Sequence, residues 1–418
     1  MARLFSSRAS ALALPSCAIA ALLAIALVSA CTIQGSTVAP KPGFTPPPEP
    51  GPAPHQLSED RPDFLRLPNT SPGSVPVRVG LILPLSSGSP GTRQLANAMM
   101  KAAELALFDS SNRNIILITA DDTGAGPDAA NAAQRLLAQG AEIIVGPLFS
   151  QSVAAVAPVA RDKGVPVLAF STDTSVAGNG VYLLSFLPQN EVKRVVSYAA
   201  HQGITMLAGM IPQTPYGDVV AQSFRTSATQ SGATVTDIER FSPSAGTITE
   251  PAAAIAKTNP NGVLIAQGGS LLRGIAPALV YAGLDKTKVK FLGTGLWDDP
   301  SVGREPLVAG GWFAAPEPEA DDAFNARFKS VFGSSPPELA TLAYDAISLV
   351  ALLSSGPAYH RFTRDALTDP NGFAGVDGIF RLNLDGTVER GLAVLAVQPG
   401  GTFKVVDPAP HTFQKTAS

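Results

Sequence analysis

From Val77 onward, short continuous apolar runs alternate with stretches of helical period, and this alternation is the strongest constraint on the fold. Strands buried on both faces of a parallel sheet read as unbroken apolar runs, and helices between them carry small and aliphatic residues on the packed side. The spacing predicts strands at Val77–Leu83, Ile115–Ala120, Ile143–Gly146 and Val167–Phe170, with helices near Leu95–Phe108, Asp128–Gln139 and Val153–Lys163 between them. A second series follows from Pro188. Its helices are expected at Glu191–Gln202, Asp218–Ser231, Ala252–Thr258 and Leu271–Ala282, and its strands at Thr205–Ile211, Thr234–Phe241, Gly262–Ala266 and Val289–Gly293. Two similar doubly wound α/β lobes are implied. The remainder predicts helices at Asp321–Phe332 and Pro337–Leu353. It then alternates as β structure over Ile379–Leu384, Leu392–Val397 and Thr402–Val406, with Asp385-Gly386 and Gly400-Gly401 as turns. The expected boundaries are 77–187 with about 317–378 for the first lobe, and 188–316 with about 379–410 for the second.

Composition narrows the function. The net charge is −3 and charged residues make up 15% of the chain, with no basic patch, so nucleic acid is an unsuitable partner. His55, His201, His360 and His411 are scattered without ligand spacing, which argues against a zinc site, and no cofactor is implied.

The N-terminus is a different material. Arg3 and Arg8 precede an apolar run from Ala9 to Val28, the layout of a secretory signal over residues 1–30. Its wholly apolar part, Ala18–Val28, is shorter than the roughly 20 residues a bilayer core requires. The run ends in Val28-Ser29-Ala30-Cys31, which resembles the lipobox of bacterial lipoproteins and marks Cys31 for lipidation; an ordinary cleavage site with an incidental cysteine is the alternative. Thr32 rather than Asp follows, which in the enterobacterial pattern implies an outer-membrane lipoprotein facing the periplasm. Cys17 falls inside the signal, so no disulfide is available to the mature chain. Twelve of the 37 prolines lie between Pro40 and Pro76, which makes residues 31–76 an extended tether or a plain disordered spacer.

The ordered motifs of the folded region resemble type I periplasmic solute-binding proteins of the leucine/isoleucine/valine-binding kind. Val79-Gly80-Leu81-Ile82-Leu83-Pro84-Leu85-Ser86 is similar to that family's first strand and loop, Asp121-Asp122 with Pro127, Ala129 and Ala133 to its second strand and helix, and Ile144–Ser150 to its third strand and binding loop. Val165-Pro166-Val167-Leu168 resembles its fourth strand, and Tyr216-Gly217-Asp218 the loop that opens the second lobe's first helix. The resemblance implies an α/β fold of two doubly wound parallel-sheet lobes joined by a multi-crossing hinge, with a cleft at the carboxyl ends of the strands. It also assigns ligand-binding positions. Ser150, with Gln151 and Ser152 beside it, and the run Ser171, Thr172 and Thr174 would donate hydrogen bonds to a ligand carboxylate, while Tyr216 would close over the ligand. Ser150 and Ser152 equally suit helix caps, and Tyr216 equally suits packing at a turn.

The family's acid for the ligand ammonium is matched here by Gly295, with Asp298 and Asp299 just downstream as substitutes, and Gln267 lies in the preceding loop, where Ser270 stands in place of a frequent aromatic. These departures weaken the case for an α-amino-acid ligand. Gly124-x-Gly126-x-x-Ala129 formally fits a dinucleotide fingerprint, but no acid ends the next strand, and no catalytic triad, nucleophile elbow or Walker loop is visible. A non-enzymatic role follows. The first reading is a lipid-anchored receptor that passes a small polar ligand, such as an amino acid, to an ABC permease. The alternative is an outer-membrane lipoprotein activator of a penicillin-binding protein, using the same fold as an interaction module.

Overall fold

The computed structural model describes residues 64–67, 75–243 and 248–413. The signal segment, Cys31 and residues 31–63 of the expected tether lie outside the described residues.

The first lobe starts with β1 (Phe64–Arg66), β2 (Val77–Leu83), α1 (Pro90–Asp109), β3 (Ile115–Asp121), α2 (Gly126–Ala138), β4 (Ile143–Val145), α3 (Ser150–Arg161), β5 (Val167–Ala169) and β6 (Val181–Leu183). Its sheet has the order β1-β3-β2-β4-β5-β6, parallel except for β1, which pairs antiparallel with β3. Leu67, just after β1, is buried in this lobe's core. The tether expected over 31–76 therefore ends earlier: Leu65 and Leu67 give this short segment an apolar face to bury, and its backbone closes the edge of the sheet.

The second lobe repeats the winding with α4 (Pro188–His201), β7 (Met206–Pro212), α5 (Pro215–Gln230), β8 (Thr234–Phe241), α6 (Thr249–Lys257), β9 (Gly262–Ile265), α7 (Gly269–Tyr281), β10 (Lys290–Gly293) and β11 (Trp312–Ala315). The chain continues through α8 (Asp322–Phe332), α9 (Ala340–Leu353), α10 (Arg364–Leu367), β12 (Phe373–Gly375), β13 (Gly378–Leu382), β14 (Val388–Arg390), β15 (Ala393–Val397) and β16 (Phe403–Asp407). The second sheet has the order β16-β15-β11-β10-β9-β7-β8, and β15 and β16 join it antiparallel.

Helices α8 and α9 return to the first lobe, where α9 packs along α1 and Phe324, Phe328 and Ile347 enter its core. The strands near 380 differ from expectation. Residues 378–390 do not extend the second sheet but form an antiparallel β12-β13-β14 sheet, whose Phe380, Leu382 and Val388 are buried in the first core. These three apolar residues share one face of the small sheet and must cover the nearest apolar surface, which the first lobe provides. The return to the second lobe comes only at β15. The chain thus crosses between lobes three times: from β6 to α4, from β11 to α8 and from β14 to β15.

Helices α1 to α7 all begin two to five residues earlier than their apolar pattern suggests, and α1 and α3 show how. Helix α1 starts at Pro90 because the Ser89 hydroxyl accepts from Thr92 N and proline suits the first helical position. Helix α3 starts at Ser150, with Phe149 as a cap that offers no side-chain bond, so neither Ser150 nor Ser152 is the cap.

Candidate functional site

In each lobe the strands wind first to one side of β2 or β7 and then to the other, and ligands of such sheets bind beyond the carboxyl ends of the strands. A cavity of about 350 Å³ lies at such ends, beside the crossings. Thr172 after β5 and Glu338 before α9 come from the first lobe, while Glu191 on α4, Tyr216 on α5 and Asp298 after β10 come from the second. Phe186 and Leu392 belong to crossing segments, and Leu296 and Ala314 add apolar wall. The volume falls within the range of small-molecule sites, and the mixed lining, apolar with a few polar groups, is what such sites require.

Thr172, Tyr216 and Asp298, three of the positions named above as ligand-binding candidates, line the cavity. The other expected positions do not line it. Ser150 faces Asp173, whose carboxyl is held below the usual range mainly by Ser175 and further by Ser150. Ser152 is fully buried against Asp122, whose carboxyl burial pushes up and the Ser152 hydroxyl draws back down. Gln151 Nε2 donates to the Gly124 carbonyl at 2.6 Å. Ser171 Oγ accepts from Asp173 N at 3.1 Å, and Thr174 lines a separate groove with Asn190 and Lys193 of α4. Gln267 serves through its backbone: its carbonyl accepts from Trp297 Nε1 at 3.0 Å, while its side chain donates to the Gly268 carbonyl. Trp297 is fully buried and fixes the loop that carries Gly295 and Asp298.

The sequence reading missed Glu191. It is 8% exposed, and its Oε2 accepts from Gly295 N at 2.7 Å. A Cβ added at Gly295 would stand only 2.7 Å from Glu191 Oε1, so the bare glycine leaves the room that this carboxylate fills. The carboxyl that position 295 lacks is thereby replaced in space by one from α4. The signal was available: on the buried face of α4, with Val192, Val195, Val196 and Ala199, Glu191 is the acidic member.

Burial pushes the Glu191 carboxyl up to about 7, partly opposed by the Gly295 N–H and reinforced by Glu338 and Asp298. Asp298 is raised to about 6 by burial and by Asp321, Asp377 and Asp299. Glu338 is raised to about 7 by loss of hydration and by Asp298, Asp377 and Asp321. The Tyr216 phenol, bonded to Thr294 Oγ1 at 2.7 Å, is pushed up by burial. Because Glu191 holds its proton more tightly when folded than in the unfolded chain, its contribution to stability is full below the ordinary carboxylate range and is lost as pH rises toward about 7. Glu191→Gln, which can still accept from Gly295 N, is therefore expected to stabilise the ligand-free protein at pH 8 relative to the parent by up to about 3 kcal/mol and to have little effect at pH 4.5. Urea denaturation at the two pH values checks this; an equal effect at both would show that the carboxyl does not titrate on unfolding.

A profile described as periplasmic binding protein matches residues 76–402. No curated protein matches the chain by sequence. Among solved structures, a protein from Rhodospirillum rubrum ascribed to branched-chain amino acid ABC transport is similar, with a TM-score of 0.70, 21% identity and coverage of 79% of this chain and 100% of that one. A leucine-binding protein from Thermotoga maritima has a TM-score of 0.56 and 19% identity, covering 79% and 99% of the two chains. A solute-binding protein of an ABC transporter from R. palustris, solved with benzoate, has a TM-score of 0.57 and 19% identity, covering 82% and 98%. At these identities the likeness is one of fold, and it agrees with the two wound lobes described above. With the profile spanning most of its length, the chain belongs to the periplasmic binding protein family.

Proposed function

We propose that this protein is the lipid-anchored solute-binding component of an ABC transporter and receives a small polar ligand in the cavity between its lobes. The observation that carries this reading is the cavity itself: both lobes contribute walls, it sits at the carboxyl ends of parallel strands, and the crossings border it. A rotation about those crossings would change the distance between Thr172 or Glu338 on one side and Glu191 or Asp298 on the other. A bound ligand would then stabilise the closed arrangement, the form a permease can distinguish. The lipobox-like Val28-Ser29-Ala30-Cys31 supports anchoring in the envelope, with the domain facing the periplasm and Thr32 favouring the outer membrane. Among the described residues no helix is long and apolar enough to cross a membrane.

A ligand present at 100 times its Kd should stabilise the folded protein by about 2.7 kcal/mol, visible as a rise in Tm, and should reduce the radius of gyration in small-angle scattering. A Tm rise without compaction would mean binding without closure, and no response to amino acids, aromatic acids or amines would sink the receptor reading. Binding to a penicillin-binding protein in that event would restore the activator reading, which rests on the proline-rich segment. Loss of lipid labelling in Cys31→Ser tests the anchor.

A further inference from the structure

Resting on the receptor reading, we propose that the ligand is a small organic cation, an ammonium or guanidinium group on an apolar body, held by Glu191, Asp298 and Glu338.

Three carboxylates line the cavity and no lysine, arginine or histidine does. Glu191 is more than nine-tenths buried, one of its oxygens is bonded to a neutral backbone N–H, and none of the ion pairs found among the described residues involves it, Asp298 or Glu338. A buried carboxylate without a cation is costly, so a site built this way is completed by positive charge from outside.

The nearby basic residues are already engaged. Arg390 lies behind Phe186, with its guanidinium 4.3 Å from that ring, and faces Asp345 and Asp377. Arg194 on α4 pairs with Asp407 at 2.7 Å and donates to the Leu392 carbonyl, and Lys193 pairs with Glu389. None turns its charge onto Glu191, which instead faces the Gly295 N–H, the Tyr216 hydroxyl, Asp298 and Glu338.

The donors that a carboxylate ligand would need are turned away from the cavity within the first lobe: Ser150 faces Asp173, Ser152 is buried beside Asp122, and Gln151 donates to the Gly124 carbonyl. Thr172 is the one of those loop residues on the cavity wall. A zwitterion would leave its carboxylate facing three others. The rings of Phe186 and Tyr216 and the aliphatic wall of Leu296, Leu339 and Leu392 suit a cation on a hydrocarbon frame, since aromatic faces attract positive charge as well as covering apolar surface. Among the described residues no group of three or more acids, cysteines or histidines is placed to hold a metal ion, which favours an organic cation.

The test is calorimetric titration of the full chain with 1,4-diaminobutane, agmatine and phenethylamine, and in parallel with leucine and benzoate, at pH 5.5 and pH 8. At least one amine is expected to bind, roughly tenfold or more tightly at pH 8, because the carboxylates must be ionised to hold it. Glu191→Gln and Asp298→Asn are each expected to weaken that binding by roughly 30-fold or more, with Tm confirming that the variants fold. Binding of leucine or benzoate but of no amine overturns the cation assignment and leaves the receptor reading intact, as does amine binding that tightens toward pH 5.5. No binding by any of the five overturns both.

Discussion

Arg390→Ala is expected to destabilise the folded chain by about 3–5 kcal/mol at pH 8, and by clearly less at pH 5. The Arg390 and Asp345 side chains are each 1% exposed and stand 3.9 Å apart. Arg390 Nε donates to the Ser185 carbonyl at 3.0 Å, and its guanidinium stacks over Phe186. It therefore ties the third crossing, after β14, to the first, after β6. Truncation would remove that tie and strand two buried carboxyls, Asp345 and Asp377. Burial already pushes Asp345 up to about 7 although Arg390 draws it down, and losing the arginine would push it further. An acid whose folded pKa is raised stabilises at low pH and loses that contribution as pH rises through the folded value, so widening the shift deepens the loss on the alkaline side. Urea denaturation at both pH values, with Arg390→Met keeping much of the packing, measures the charge contribution separately. Equal losses for alanine at pH 5 and pH 8 would mean that Arg390 acts by filling space.

The second large effect is expected at Gly146, where β4 ends. Its φ is +85°, and an added Cβ would stand 2.1 Å from the Ile82 carbonyl oxygen in the neighbouring strand. Neither backbone can yield without breaking the β2–β4 pairing that forms the centre of the first sheet. Gly146→Ala should cost about 3 kcal/mol or more, combining left-handed strain with overpacking. Gly164→Ala is the control, because Gly164 has φ +67° with nothing within 4 Å of the added carbon. It should lose only the conformational part, about 1–2 kcal/mol. Urea midpoints for the pair would separate the two causes, and similar losses would show that the β2 backbone moves aside.

What could be read from the sequence divides along physical lines. Val77–Leu83, Ile143–Val145 and Thr234–Phe241 were legible because a run of one chemistry with a fixed period needs no knowledge of its neighbours. Trp312–Ala315 was passed over: four residues after a glycine pair carry no period, and their strand character comes from pairing with β10 and β15. Phe380, Leu382 and Val388 alternate like any strand, but nothing local says which lobe will cover them. The candidate site follows the same division. Tyr216 and Thr172 were marked by motif and do line the cavity. The hydroxyls of Ser150 and Ser152 were marked by motif as well, yet they lie beside Asp173 and Asp122, carboxyls that only the folded sheet brings near them. Glu191 was hidden by the opposite difficulty, since its role depends on the empty space at Gly295, more than a hundred residues away.

The triple crossing also governs when the chain can fold. The first lobe's core is not complete until Phe380, Leu382 and Val388 have emerged, long after its own sheet has been synthesised. A nascent chain that has passed Leu183 holds a wound sheet whose apolar surface still awaits α8, α9 and the β12-β13-β14 sheet. Its N-terminal half therefore cannot lock ahead of its C-terminal half, as a contiguous domain would. Fragments ending near residue 187 or 315 should expose that surface and aggregate.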